Sequence, residues 1–464
     1  MRNVLVLGCL LALVGTSPAA AQGSVGDVVP ERAIRITVGG SIDLNLVARN
    51  EQFFRAALAG GVLDPGTPTT ASGGDVFLDP IISLDLTVQL REGVTAVVQL
   101  ETPYSEQGDA GGINTTTAGS ESRVLDVEQV FVRWEGAFDS PDLTLQVGIQ
   151  DFSNDFAGTG NPFFVDVSHS ENPFDSATGA PPAPSSWMVG TQEASGIFTR
   201  YNAGDVDLDL FYFTIGEGLR GSTDMTLDGA TLQTDSGPDT DQPWNLGAGL
   251  YVLESDADSR LFTLGGGGST TLMDGALKLY GEAYGQFGSY AEMSGSAGDI
   301  DQEDAFAVFG GARFTMLDTV YQPYIDVSYW EISGDSNTTD GNNENFVSLE
   351  GNNDTLIVED GYYGFDIDTN YRAIKVRGGF TPADWDRLRV EVLYAFFELQ
   401  DNNGTLGAPS STQDKIGDEL DIVVDFFATE YLTFRVATGG LFDPDALGLG
   451  DDVNSSRIEA RVKF

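Results

Sequence analysis

The chain has 464 residues, a formal net charge of −48, 41% hydrophobic residues and 57 glycines. That apolar content excludes wholesale disorder, and 71 Asp+Glu against 23 Lys+Arg exclude a nucleic-acid binder held through phosphates. One cysteine and one histidine exclude a disulfide scaffold, thiolate metal clusters and most zinc sites.

Arg2, an apolar run from Val4 to Val14, the break at Ser17-Pro18 and then Ala19-Ala20-Ala21 read as a signal peptide over residues 1–21, cleaved before Gln22. Past that point no stretch approaches the ~18 consecutive apolar residues of a membrane helix. Residues 22–464 are therefore either a soluble exported protein or a single barrel domain that crosses a membrane with strands.

Periodicity favours the barrel. From Ile34 to Leu46 the even positions are apolar or Gly and the odd ones polar or Gly. Side chains of a strand point to alternate faces, so such a segment has one greasy and one wet side. The pattern recurs over 33–47, 81–90, 94–102, 123–135, 142–150, 196–202, 205–215, 244–253, 260–272, 276–288, 304–316, 320–333, 371–381, 387–399, 416–426, 431–439 and 453–464. A closed barrel with both termini on one side needs an even count. Running the directions inward from both ends leaves one strand missing between 216 and 243, and Met225 to Thr234 is the only candidate. The predicted fold is all-β, an antiparallel up-and-down transmembrane barrel of 18 strands, with 16 as the alternative if 260–272 and its neighbour are misread.

Three features separate this from a soluble sandwich. Segments of ~10 residues suit a tilted membrane strand. Short connections such as Arg91–Gly93, Ala203–Gly204 and Met273–Gly275 alternate with long ones such as 48–80, 151–195 and 334–370, as turns on one side and loops on the other. The last strand ends on Phe464, like the assembly signal of bacterial outer-membrane barrels. Trp134, Tyr251, Tyr321, Trp330, Trp385, Tyr394 and Tyr431 near strand ends fit interfacial girdles. The glycine run Gly265–Gly268 precedes no helix and no Lys, so it is not a phosphate loop; it marks close packing in a strand.

Basic residues on the inward phase include Arg133, Lys278, Arg313, Lys375, Arg377, Arg389, Arg435, Arg457 and Arg461, and these are the expected solute path. Acids on the same phase nearly balance them, so most of the negative charge falls in loops. The segment 151–195, with Asp151, Asp155, Asp166 and Glu171, is expected to fold inward as a constriction loop, since long loops are usually functional or mobile. His169 lies in it without a strand-anchored acid partner, so a Ser–His hydrolase is disfavoured and no enzyme activity is expected. No cofactor is expected, apart from Ca²⁺ at acidic loops such as Glu254–Ser259.

The second half carries a family resemblance. The strand Tyr324 to Ile332 runs into Ser333-Gly334-Asp335, followed by Asn337, Asp340 and Phe346. Tyr363-Gly364 comes next, then Ile416-Gly417-Asp418-Glu419-Leu420-Asp421 at a strand start, and Tyr280 to Gly288 is similar to another family strand. Over residues 244–464 the chain resembles the alginate-export outer-membrane family. That resemblance implies an eighteen-stranded barrel that passes a polyanionic uronate polymer through an arginine-lined pore. Lys375, Arg377, Arg389 and Arg435 sit at suitable inward positions, whereas the many inward acids depart from the pattern.

The leading expectation is a passive channel in the outer membrane of a Gram-negative-type bacterium, for a hydrophilic, anionic solute or polysaccharide. The alternatives are a general porin with cation preference, drawn by its acidic mouth, and a plugged structural or adhesion barrel. Expected partners are outer-membrane lipid, the barrel-assembly machinery through Phe464, and the solute; nucleic acid is not expected, and a monomer is favoured.

Overall fold

The computed structural model describes residues 34–50, 75–91, 93–102, 126–160, 162–167, 194–216, 225–236, 242–255, 260–289, 301–337, 342–349, 354–360, 364–365, 367–381, 387–401, 414–447 and 451–464. The signal segment, His169, Glu171, Trp385 and the acids of 256–258 lie outside the described residues.

Eighteen strands follow one another along the chain. They are β1 Arg35–Arg49, β2 Asp75–Arg91, β3 Val94–Glu101, β4 Asp126–Glu135, β5 Leu143–Gln150, β6 Ala194–Asn202, β7 Val206–Gly216, β8 Met225–Asp235 and β9 Trp244–Ser255. Then come β10 Arg260–Leu272, β11 Leu277–Ser289, β12 Asp301–Thr315, β13 Tyr324–Ile332, β14 Tyr371–Phe380, β15 Leu388–Leu399, β16 Lys415–Phe427, β17 Leu432–Phe442 and β18 Val453–Lys463. Each pairs antiparallel with the next. β18 returns to β1, with Lys463 opposite Ser41 and Ser455 opposite Arg49, which closes the cylinder. The strand inferred from parity is β8: Leu227 faces Phe213 on one side and Leu253 on the other.

The alternation decides which way each side chain points. On β1, Leu44 and Leu46 are exposed on the outside while Asp43 and Asn45 are buried inside. On β14, Ile374 and Val376 are exposed outward, with Lys375 buried between them on the inner face. An apolar exterior around a polar interior suits a bilayer, and closure leaves no strand edge unpaired in it. The turn joining β10 to β11 shows how tightly the short-connection end is drawn. Met273 and Asp274 both have φ 56° and Gly275 has φ 96°, the left-handed conformations of turns that match strand twist.

Two aromatics expected in a girdle lie elsewhere. Tyr251 and Trp330 occupy the inward phase and are buried in the interior, because their strands carry the apolar phase outward one residue away. Tyr321, Tyr394 and Tyr431 are exposed on the outside.

The interior is filled in part by chain from two long connections. Residues 151–167 form a small hairpin, Phe152–Asn154 against Val165–Val167. Parts of the 333–370 connection join them. Phe152, Phe156, Phe163 and Phe164 from the first, and Phe346, Ile357 and Phe365 from the second, are buried in one cluster with Phe213, Tyr251, Tyr284, Phe309 and Trp330 of the wall. The two segments also meet each other: the Leu349 N–H donates to the Phe164 carbonyl at 3.1 Å, and the Phe164 and Phe346 rings are 5.5 Å apart, edge to face.

Candidate functional site

Charged side chains form a belt on the inner wall, toward the short-turn ends of the strands. Its register can be followed strand by strand. Lys278 on β11 lies opposite Arg313 on β12, and Arg313 opposite Asp326 on β13, which in turn faces Arg377 on β14. Arg389 on β15 faces Asp425 on β16, Asp425 faces Arg435 on β17, and Arg435 faces Glu459 on β18. Arg461 on β18 faces Asp43 on β1 across the closing seam. Strand pairing thus places opposite charges side by side along most of the belt, the arrangement that stabilises cross-strand neighbours.

The contacts follow the register. Arg461 Nε donates to Asp43 Oδ1 and Arg435 Nε to Asp425 Oδ1, both at 2.7 Å. Arg389 lies 3.6 Å from Asp425 and 3.8 Å from Glu391. Arg377 lies 3.3 Å from Glu391, and Arg313 3.6 Å from Asp326. Tyr280 donates to Asp326 at 2.5 Å and Tyr324 donates to Glu391. The Arg313 guanidinium sits 4.0 Å over the Tyr324 ring, a cation–π contact. Farther round the wall, Arg200 pairs with Asp209 at 2.7 Å, and Arg133 donates to the Gln146 side chain at 2.7 Å.

The segment 151–167 crosses to the far wall and is held there by buried polar groups. The Glu282 carboxylate accepts the Ala157 N–H at 2.7 Å and the Tyr284 hydroxyl at 2.6 Å. Asn245 donates to the Phe156 carbonyl at 2.6 Å, and Lys278 donates to the Gly158 carbonyl. Room for it is made by missing side chains. A Cβ on Gly247 would sit 2.1 Å from the Phe156 ring, and one on Gly265, in the glycine run, 2.0 Å from Tyr284. Of the run 265–268, Gly265 makes room for the Tyr284 ring and Gly267 for the Glu282 side chain, while Gly266 and Gly268 approach the backbone of the neighbouring strand.

Asp155 turns its own segment, accepting the Thr159 and Gly160 N–H groups at 3.0 and 2.5 Å. Asp151 accepts from Gln129 at 2.5 Å, and Asp166 sits opposite Ser153 in the small hairpin. At the acidic stretch considered for Ca²⁺, Glu254 pairs with Arg260 at 2.5 Å.

The 333–370 connection supplies the contacts that sequence reading missed. Residues 354–360 lie against β14, β16 and β18. Glu359 accepts two bonds from Lys375 Nζ, at 2.7 and 2.8 Å, and one from the Tyr371 hydroxyl at 2.6 Å. Asp354 pairs with Lys375 at 3.3 Å and with Arg377, and Asp360 with Arg457 at 3.6 Å. Glu419 accepts the Ile357 and Val358 N–H groups at 2.6 and 3.0 Å, and Asp421 accepts that of Leu356 at 3.0 Å. Burial alone would raise the Asp354 pKa, but Lys375 and Arg377 hold it down at about 2. At Glu359 burial dominates over Lys375 and the pKa is raised. Lys375, expected to face the passage, is instead 1% exposed and covered by this segment. Arg377 and Arg457 likewise share their charge with it.

The inward acids thus have distinct tasks that alternation could not separate. Asp43, Asp326, Glu391 and Asp425 balance belt cations, while Glu282, Glu419 and Asp421 hold loop backbone.

An eighteen-stranded closed barrel, greasy outside, charged inside and partly filled by its own long connections, defines a porin-like channel of the bacterial outer membrane. The sequence profile of the alginate export family matches residues 82–461, and the chain belongs to that family. The match reaches well beyond the 244–464 region that carried the resemblance, into the N-terminal half. Solved structures agree on the fold. The outer membrane protein OprD of Pseudomonas aeruginosa matches with a TM-score of 0.52 at 13% identity, over 92% of this chain and 94% of that one. OccK9 (OpdG) of the same organism matches with a TM-score of 0.53 at 11% identity, over 92% and 98%. Comparison with curated proteins returns no match. The protein is accordingly an outer-membrane channel for passive solute passage.

Proposed function

We propose that the channel passes a hydrophilic anionic solute, of the kind a polyuronate chain presents, along the arginines of the belt. One observation carries this reading. In the belt pairs the arginine is the exposed partner and the acid the buried one. The Arg389 and Arg435 side chains are 45% and 36% exposed over Asp425 at 2%, and Arg461 is 44% exposed over Asp43 at 10%. A wall with nearly balanced charge therefore shows guanidinium to the water. The cause is length: a short Asp stays at the wall, and a long Arg from the next strand reaches past it. Exposed guanidiniums bind carboxylates in bidentate fashion and exchange them readily, because exposed ion pairs are worth only ~0–1 kcal/mol each. Many weak, equivalent contacts favour entry without trapping.

Reversal potentials in planar bilayers under a KCl gradient test the reading. The channel is expected to prefer anions, and an oligo-uronate is expected to block chloride current where a neutral oligosaccharide does not. The triple variant R389E/R435E/R461E is expected to reverse the preference. Cation preference in the unaltered protein would favour the general-porin alternative instead. Phe464, whose N–H and carbonyl pair with Gly40 at 3.0 and 3.1 Å, is proposed as the residue that the assembly machinery reads before the seam closes.

A further inference from the structure

A second cation group adjoins the belt and shares Arg377 with it, and it is already occupied by the protein's own chain. Lys375, Arg377 and Arg457 each pair with a carboxylate from residues 354–360. Lys375 is the most enclosed: its ammonium lies between Glu359, Asp354 and the Trp330 ring, 4.0 Å from the ring centroid. Arg377 is the outermost, bridging Asp354 of the segment and Glu391 of the wall, with a side chain 24% exposed.

The chemistry of this contact matches that of the solute. Residues 354–360 run without helix or strand and present Asp354, Glu359 and Asp360 to wall cations. A polyuronate does the same, with a carboxylate on each ring. The backbone of the segment is held by Glu419 and Asp421, and its Ile357 and Val358 side chains are buried in the apolar cluster, so exchange is confined to the three carboxylates while the segment stays seated.

We infer that residues 354–360 are an internal stand-in for the polyanion, so that solute carboxylates and the segment compete for Lys375, Arg377 and Arg457. The inference rests on the polyanion reading above and adds a masked binding site to it. Competition starts at Arg377, where Asp354 is the contact nearest the water. Once Asp354 is displaced, Lys375 loses one of its two counterions, and the Glu359 contact is the next to exchange. The solute then helps to admit itself, and the passage stays narrow without it.

The variant D354N/E359Q tests this in the full-length channel, with folding checked by the heat-modifiable gel migration of closed barrels. It is expected to conduct more and to be blocked by oligo-uronate at about tenfold lower concentration than the parent, a difference of ~1.4 kcal/mol. A second measurement uses the unaltered protein. Oligo-uronate is expected to change tryptophan emission, because Trp330 lies under Lys375, and the change is expected to vanish in W330F and with a neutral oligosaccharide. Parent block that D354N/E359Q leaves unchanged, or block without any emission change, overturns the inference alone. No block in either protein overturns the polyanion reading, and the inference with it.

Discussion

Single side chains in this interior do work that their type does not announce. Glu282 is a carboxylate on the inner wall, yet it faces a backbone N–H and a tyrosine hydroxyl rather than a cation. Alternation made its inward direction legible, but its partner is 125 residues away in sequence and left no local trace. Removing it leaves the Ala157 N–H buried without an acceptor, which costs about 1–3 kcal/mol. The variant E282A is therefore expected to unseat residues 155–160, seen as faster proteolysis within 151–167 and noisier single-channel current, while the barrel itself stays closed. E282Q keeps an acceptor oxygen and is expected to fall between the two.

At the scale of elements, strands and loops differ in how far sequence could reach. Every strand of the wall was readable, because a two-residue period repeats over ten or so positions and parity supplies what a weak segment such as β8 lacks; the three-residue strands of the 151–167 hairpin are too short to carry such a period. The inward path of 151–167 was expected from its length and acids. The equally inward path of 354–360 was not, since three acids in a long connection read as a solvated surface. What holds that segment is wall charge from β14, β16 and β18, which are brought together only by closure. Its docking has a pH signature. Asp354 titrates at about 2 when docked and near 3.8 when free, so its contribution is complete above about pH 4 and is lost as pH falls through 2. The shift corresponds to about 2 kcal/mol for a group this enclosed. Conductance is expected to rise between about pH 4 and pH 2 in the parent channel, and D354N is expected to lack that rise; equal profiles would remove Asp354 from the docking contact.

On the scale of the whole molecule, the two halves of the lumen divide the labour. The belt lies near the short turns, where strand ends are fixed tightly and arginine positions are set by register. The apolar cluster lies toward the long connections, and the docked segments reach from it to the belt at Lys278 and Arg377. Net charge was a poor guide to either, because the large acid excess lies mainly outside the wall while the belt turns its cations to the water.

The seam between β1 and β18 has one more consequence, for how the cylinder comes into being. Asp43 and Arg461 touch across it although 418 residues separate them, whereas every other pair among the eighteen wall strands is consecutive in the chain. Bringing such distant ends together has the largest loop-closure cost in the molecule, so the hairpins can zip up in sequence long before the first and last strands meet. Until then both carry bare hydrogen-bonding rims, and that interval is when the nascent chain is most exposed to mispairing with another copy of itself.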